Sequence, residues 1–219
     1  MSEERRLLIR GGRTLVVSLR KNLADIRMAI SSGKLSGARM YELRYDLAGD
    51  PAGNIGEMIR TMKEEGLDFI FTFRGSAHES VRAYTSAINA GADIIDIDFS
   101  LLKQTGSLDC RKIISFHGDW RKWNDVLPDI LRSDPYAVKL ASPFQNIQEF
   151  VKAMSEATSV RERVEVPFCF SPMGNIPAMR YFACLYVSDF CYARLDEPTA
   201  DGQPTADQYE LFLQLAEES

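Results

Sequence analysis

The sequence predicts one α/β domain folded as a closed (β/α)8 TIM barrel of parallel strands, and three observations carry that expectation. Short runs rich in β-branched and aromatic residues recur eight times along the 219 residues. Helical patterns separate most of these runs, and strands that alternate with helices pair in parallel through right-handed crossovers. No Gly-x-Gly-x-x-Gly loop follows the first run, which removes a signature of the rival open, doubly wound sheet. The length is near the short end for a barrel, so the loops must be lean. No linker, low-complexity tract or boundary interrupts the chain, and residues 1–219 read as a single catalytic domain.

Residues 13–19 form the first strand and 22–32 the helix after it, followed by Gly33 where a helix C-cap favours glycine. The second strand, 40–46, leads to helix 54–65 and Gly66; the third, 68–74, leads to helix 79–90 and Gly91. After the fourth strand, 93–99, the stretch 101–109 is short and poorly periodic, with a weak helix signal. The fifth, sixth and seventh strands, 112–118, 136–142 and 166–172, precede helices 123–132, 146–161 and 176–187. The eighth strand, 189–195, runs through a loop to helix 206–218, which Thr205 caps at its N-terminus.

Composition narrows the function classes. A formal net charge of -5 argues against nucleic-acid binding, which needs a basic field. It leaves room for a small anionic substrate, which a few pocket arginines can hold. No run approaches the ~20 apolar residues of a membrane span, and the charged start at Glu3, Glu4, Arg5 and Arg6 leads into none. The expected location is cytoplasmic. Cys110, Cys169, Cys184 and Cys191 form no Cys-x-x-Cys pair, so they are expected as reduced, mostly buried thiols. With only two histidines, a zinc site is not expected, nor is any other metal or cofactor.

Side chains alternate across a strand, and in a barrel one face meets the helices while the other points inward. Phe69, Phe71 and Phe73 share one face of the third strand, which leaves Ile70, Thr72 and Arg74 on the other. Tyr41, Leu43 and Tyr45 likewise oppose Met40, Glu42, Arg44 and Asp46. The same parity sets Asp96 and Asp98, His117, and Lys139 apart from the apolar residues of the fourth, fifth and sixth strands. The apolar sets suit the helices. The charged sets then converge inside the barrel at the strand C-termini, where barrel enzymes place their chemistry.

Lys139 is the sharpest candidate. Its same-face neighbours, Ala137 and Ala141, leave room around the amine. Desolvation or nearby positive charge favours a neutral lysine, which can attack a ketone to form an imine. The protonated imine is an electron sink that acidifies the adjacent C–H. His117, on the preceding strand with matching parity, supplies the acid/base that such chemistry requires.

Seven segments in order give this reading a family. Glu42-Leu43-Arg44-Tyr45-Asp46, Phe71-Thr72-Phe73-Arg74, Phe116-His117-Gly118-Asp119 and Val138-Lys139-Leu140-Ala141 are followed by Ser171-Pro172-Met173-Gly174, Arg180 and Thr199-Ala200-Asp201-Gly202-Gln203. Together they resemble type I 3-dehydroquinate dehydratases over nearly the whole chain. The resemblance implies a hydro-lyase step of the shikimate pathway, on the route to chorismate and the aromatic amino acids: 3-dehydroquinate loses water to give 3-dehydroshikimate. It implies Lys139 as the imine-forming residue, His117 as the acid/base that removes the C2 proton, and Arg180 as the partner of the substrate carboxylate. Glu42, Arg44 and Arg74 would meet substrate hydroxyls, Ser18 would bind at the end of the first strand, and Thr199 and Gln203 would contact substrate from the loop 196–204. That loop, with Pro198, Gly202 and Pro204, is placed to act as a lid. Relatives that dimerise imply a homodimer as one assembly of this chain.

The sequence departs from the pattern at four places. The glutamate that many relatives carry four residues after the Phe-Arg arginine is His78; Glu79 stands in for it if Gly75 is a one-residue insertion. Asn175 replaces a lysine, Thr199 a serine, and Val187 a glycine. Two rivals stay open beside this reading. One is a barrel aldolase that uses the same lysine imine to cleave a C–C bond. The other is a non-catalytic barrel.

Overall fold

Parallel pairing follows from the connections: every strand is followed by a helix or helical turn that returns the chain to the same end of the sheet. The computed structural model describes residues 13–36, 39–49, 54–105 and 107–217. Its strands are β1 (Thr14–Leu19), β2 (Met40–Arg44), β3 (Asp68–Thr72), β4 (Ile94–Asp98), β5 (Arg111–His117), β6 (Ala137–Pro143), β7 (Phe168–Met173) and β8 (Phe190–Arg194). Between and after them come α1 (Leu23–Ser31), α2 (Ile55–Glu64), α3 (Ala77–Asn89), α4 (Leu102–Thr105), α5 (Trp123–Arg132), α6 (Ile147–Arg163), α7 (Ala178–Tyr186) and α8 (Ala206–Glu217). The strands form one parallel sheet in the order β7-β6-β5-β4-β3-β2-β1-β8, so β8 pairs with β1 and the barrel is nearly closed. At the remaining seam, one backbone hydrogen bond and two side chains stand in for a ladder. The Asp189 N–H donates to the Phe168 carbonyl (2.7 Å), and the Asp189 carboxylate accepts from the Phe168 N–H (2.8 Å). Ser188 Oγ accepts from the Phe170 N–H (3.0 Å).

The expected parity holds. Tyr41, Leu43, Phe69, Phe71, Ile95, Ile97, Ile114, Val138 and Leu140 are buried against the helices in one apolar cluster. Inside the barrel, Val16, Met40, Ile70, Ile94, Ile113, Ala137, Cys169, Phe190 and Tyr192 form a second cluster. They plug its lower half, and the polar residues of the same parity lie two positions further along each strand. Close-packed apolar side chains leave no room for water, so this plug gives the site a dry floor.

Two expectations change, and the weak helix signal after β4 resolves into short turns. The third helix begins at Ala77 rather than 79, because Ser76 and Glu79 form a reciprocal capping box at its N-terminus. The weakly periodic stretch after β4 contains a 3-10 turn, Phe99–Leu101, and only one helical turn in α4. The expectation of reduced thiols fails for two cysteines: Cys184 on α7 and Cys191 on β8 are disulfide-bonded, while Cys110 and Cys169 are free. The chain folds back from α7 into β8 so tightly that the two Cα atoms lie 5.7 Å apart, a separation a disulfide spans. Spacing along the sequence does not reveal that. Residues 3–6, Gly106 and the last position of the expected helix 206–218 lie outside the described residues. No described helix is long and apolar enough to cross a membrane.

Candidate active site

A cavity of about 440 Å³ opens at the C-terminal ends of the strands, and nine of the ten candidate residues line it: Ser18, Glu42, Arg44, Arg74, His117, Lys139, Arg180, Thr199 and Gln203. Strand parity explains the convergence. Ser18 pairs in register with Glu42, and Ser115 with Lys139. Their side chains therefore share one layer above the apolar plug.

Lys139 is 7% exposed. Its Nζ donates to Asp96 Oδ2 at 3.1 Å, lies 3.8 Å from Glu42 Oε1, and sits 3.8 Å above the Tyr192 ring. The room left by Ala137 and Ala141 is thus bounded by an aromatic face, and the amine's close charged neighbours are carboxylates. Asp96 is fully buried. Burial alone would raise its pKa, but the charges of Arg74 and Lys139 and a hydrogen bond from Ser115 hold it well below the usual carboxylate range. Arg74 Nη2 reaches Asp96 Oδ1 at 2.7 Å and Ser115 Oγ at 3.0 Å. Such a cluster is stable only because each buried charge is paired.

His117 Nδ1 lies 2.9 Å from Asp98 Oδ2. Burial would push the Asp98 carboxyl up, yet hydrogen bonds from His117 and Ser100 outweigh it and bring the pKa down to about 2. Across the cavity Ser18 Oγ donates to Glu42 Oε2 (2.6 Å), Thr72 Oγ1 donates to Glu42 Oε1 (3.0 Å), and Gln203 Nε2 donates to Ser18 Oγ (3.0 Å). Arg44 forks onto both oxygens of Asp46, at 3.1 and 2.7 Å, and its Nη1 reaches the Thr199 carbonyl at 3.2 Å.

Arg180 is the odd cation. It is 4% exposed, and it donates to Ser171 Oγ (3.3 Å) and the Asp201 carbonyl (3.0 Å). Its Nε has no partner among the described residues. Burial, the largest influence, pulls its pKa below the ordinary value. A buried guanidinium facing a cavity without a carboxylate of its own is a ready anion site.

Glu79 does not join the others. It is exposed on α3, where its Oε2 accepts from the Ser76 N–H (3.0 Å) and hydroxyl (2.6 Å). Conversely, several residues that line the cavity or hold it were given no role from sequence. Asp98, Thr72, Ser171, Asp201 and Tyr192 line it, and Asp96 lies beneath Lys139. Asp96 and Asp98 were placed inside the barrel by the same parity as Lys139, but parity gives a face and not a partner. Among the described residues, no group of three or more His, Cys, Asp or Glu is arranged to hold a metal ion.

Comparison with known proteins gives this fold a family. The family profile "Type I 3-dehydroquinase" matches residues 15–219. A 3-dehydroquinate dehydratase of Thermoplasma volcanium is 36% identical over 188 residues, 83% of this chain and 80% of that protein. One from Thermoplasma acidophilum is 35% identical over 182 residues, 80% of this chain and 77% of its own length. The solved 3-dehydroquinate dehydratase of Geobacillus kaustophilus superposes with a TM-score of 0.80 at 15% identity, over 94% of this chain and 91% of that one, which supports the fold. The chain belongs to the type I 3-dehydroquinase family.

Proposed function

We propose that this chain is a 3-dehydroquinate dehydratase of the shikimate pathway, working through an imine on Lys139 with His117 as acid/base. The observation that carries the reading is one cavity that joins a buried lysine, a carboxylate-paired histidine and a buried arginine with no carboxylate partner among the described residues. Relatives named 3-dehydroquinate dehydratase support the choice of substrate.

In this mechanism Lys139 gives one ammonium proton to His117 and attacks the ketone carbon as the amine. The carbonyl oxygen takes that proton back with a second one from the nitrogen and leaves as water, giving an iminium. That cation occupies the place of the ammonium, so Asp96 and Glu42 neutralise it without moving. Such fixed, dry electrostatics cost no reorganisation during reaction. His117 takes the C2 proton, the β-hydroxyl departs as water with a returned proton, and a second water hydrolyses the imine. Arg180 binds the substrate carboxylate, and Ser18, Glu42, Arg44 and Arg74 shape the wall that meets its hydroxyls. Thr199 and Gln203 bring the loop 196–204 over the ligand, where it excludes bulk water from the imine.

Incubation with 3-dehydroquinate tests the assignment. The expected result is ultraviolet absorbance from a conjugated enone. Cleavage of a C–C bond would favour the aldolase, and no conversion would favour a binding barrel.

A further inference from the structure

We propose that Asp98 is a positioning residue that fixes the tautomer of His117, holding the proton on Nδ1 so that Nε2 faces the cavity as a base. The proposal rests on the dehydratase reading above and extends it to a residue outside the motifs. Asp98 ends β4 and His117 ends the neighbouring strand β5. The Oδ2 oxygen meets His117 Nδ1 at 2.9 Å. The other oxygen, Oδ1, is anchored by the Ser100 N–H at 3.0 Å and the Ser100 hydroxyl at 2.6 Å. The carboxylate is thus fixed at one oxygen and offered at the other.

Among the described residues, no neighbouring carboxylate competes for this role. Asp96 is engaged by Arg74, Ser115 and Lys139, and Glu79 closes the capping box of α3. A neutral imidazole carries its proton on whichever nitrogen the protein gives an acceptor. An ionised Asp98 accepts from Nδ1–H, which leaves the Nε2 lone pair for the cavity that His117 lines. When Nε2 takes a proton from substrate, the imidazolium stays paired with Asp98, so the base is both oriented and stabilised in its charged form.

The anchoring makes Asp98→Asn a directional test. The Ser100 N–H requires an acceptor at the Oδ1 position, so the new amide oxygen must remain there. The amide NH2 then takes the Oδ2 position and donates to Nδ1, which forces the proton of the neutral ring onto Nε2. Shape is conserved while the base is reversed. The chain has only His78 and His117, so 15N NMR of the imidazole nitrogens in the full chain, assigned with His78→Gln, reads the tautomer directly.

The expected result is a bare Nε2 on neutral His117 in the wild type and a protonated one in Asp98→Asn. With 3-dehydroquinate, kcat should fall by roughly 10²-fold or more, the usual scale of a misplaced acid/base. KM should move only a few-fold, and borohydride should still trap the imine. A protonated Nε2 in the wild type, or near-wild-type turnover by Asp98→Asn, overturns the proposal. If that variant fails to fold, the wild-type spectrum alone decides. A wild type without dehydratase activity would remove the functional reading, while the spectrum still reports on the Asp98–His117 pair.

Discussion

Arg180 has its two nearest acceptors in a hydroxyl and a backbone carbonyl, neither of which neutralises it. A planar guanidinium can grip a carboxylate with two parallel N–H bonds, whereas lysine offers a point charge. Arg180→Lys should therefore weaken binding nearly as much as Arg180→Ala. Both should raise KM for 3-dehydroquinate by roughly 10- to 100-fold, the range implied by ~1.5–3 kcal/mol for hydrogen bonds to a charged group. Steady-state kinetics on the two variants checks this; recovery of most of the binding by lysine would mean that charge alone suffices. Individual residues were unevenly legible. Lys139 stands out by parity and its alanine neighbours, and His117 by rarity and parity. Tyr192 does not, because a tyrosine in a strand reads as core until β8 is seen to bring its ring within 3.8 Å of Lys139.

The loop between β8 and α8 is fastened by polar contacts to the site itself. Gln203 Oε1 accepts from the N–H and hydroxyl of Thr199, at 2.9 and 3.0 Å, and the Asp201 carbonyl accepts from Arg180. One contact is steric. Gly202 has φ +66°, and a Cβ there would lie 2.0 Å from the carbonyl oxygen of Gly174, the glycine after β7. Backbone cannot yield as a side chain would, so Gly202→Ala should hold the loop off the cavity. We expect kcat/KM to fall by about tenfold or more and residues 196–204 to lose hydrogen-exchange protection, following the link between lid closure and catalysis. Gly66→Ala is the control: its φ is +68° with nothing near the added methyl, so it shares the backbone strain without the clash. Equal behaviour of the two variants would show that strain, not docking, matters. The loop's position after the last strand was legible from the sequence, but its contact with Gly174 joins residues 28 positions apart. Glu79 illustrates the converse: the resemblance offers it as a stand-in for a family glutamate, while its side chain closes a local capping box with Ser76, which proximity along the chain favours.

Closure of the barrel was legible in outline, from eight strand-like runs and no dinucleotide-binding loop. The seam was not, since it depends on Ser188 and Asp189 capping β7 where a ladder would otherwise run. Just beyond that seam the disulfide ties α7, which carries Arg180, to β8. Closing a loop of this length should stabilise the fold by about 2–3 kcal/mol. Alkylation after denaturation without reductant should label Cys110 and Cys169 and leave Cys184 and Cys191 unlabelled; four labels would mean that the pair is reduced. The chemistry proposed for the assembled barrel depends on one covalent bond at Lys139, and that bond can be trapped. Borohydride added with 3-dehydroquinate, followed by peptide mapping, should leave a stable adduct on Lys139, and Lys139→Ala should abolish both adduct and turnover. An adduct on another lysine, or undiminished turnover in Lys139→Ala, would contradict the imine mechanism.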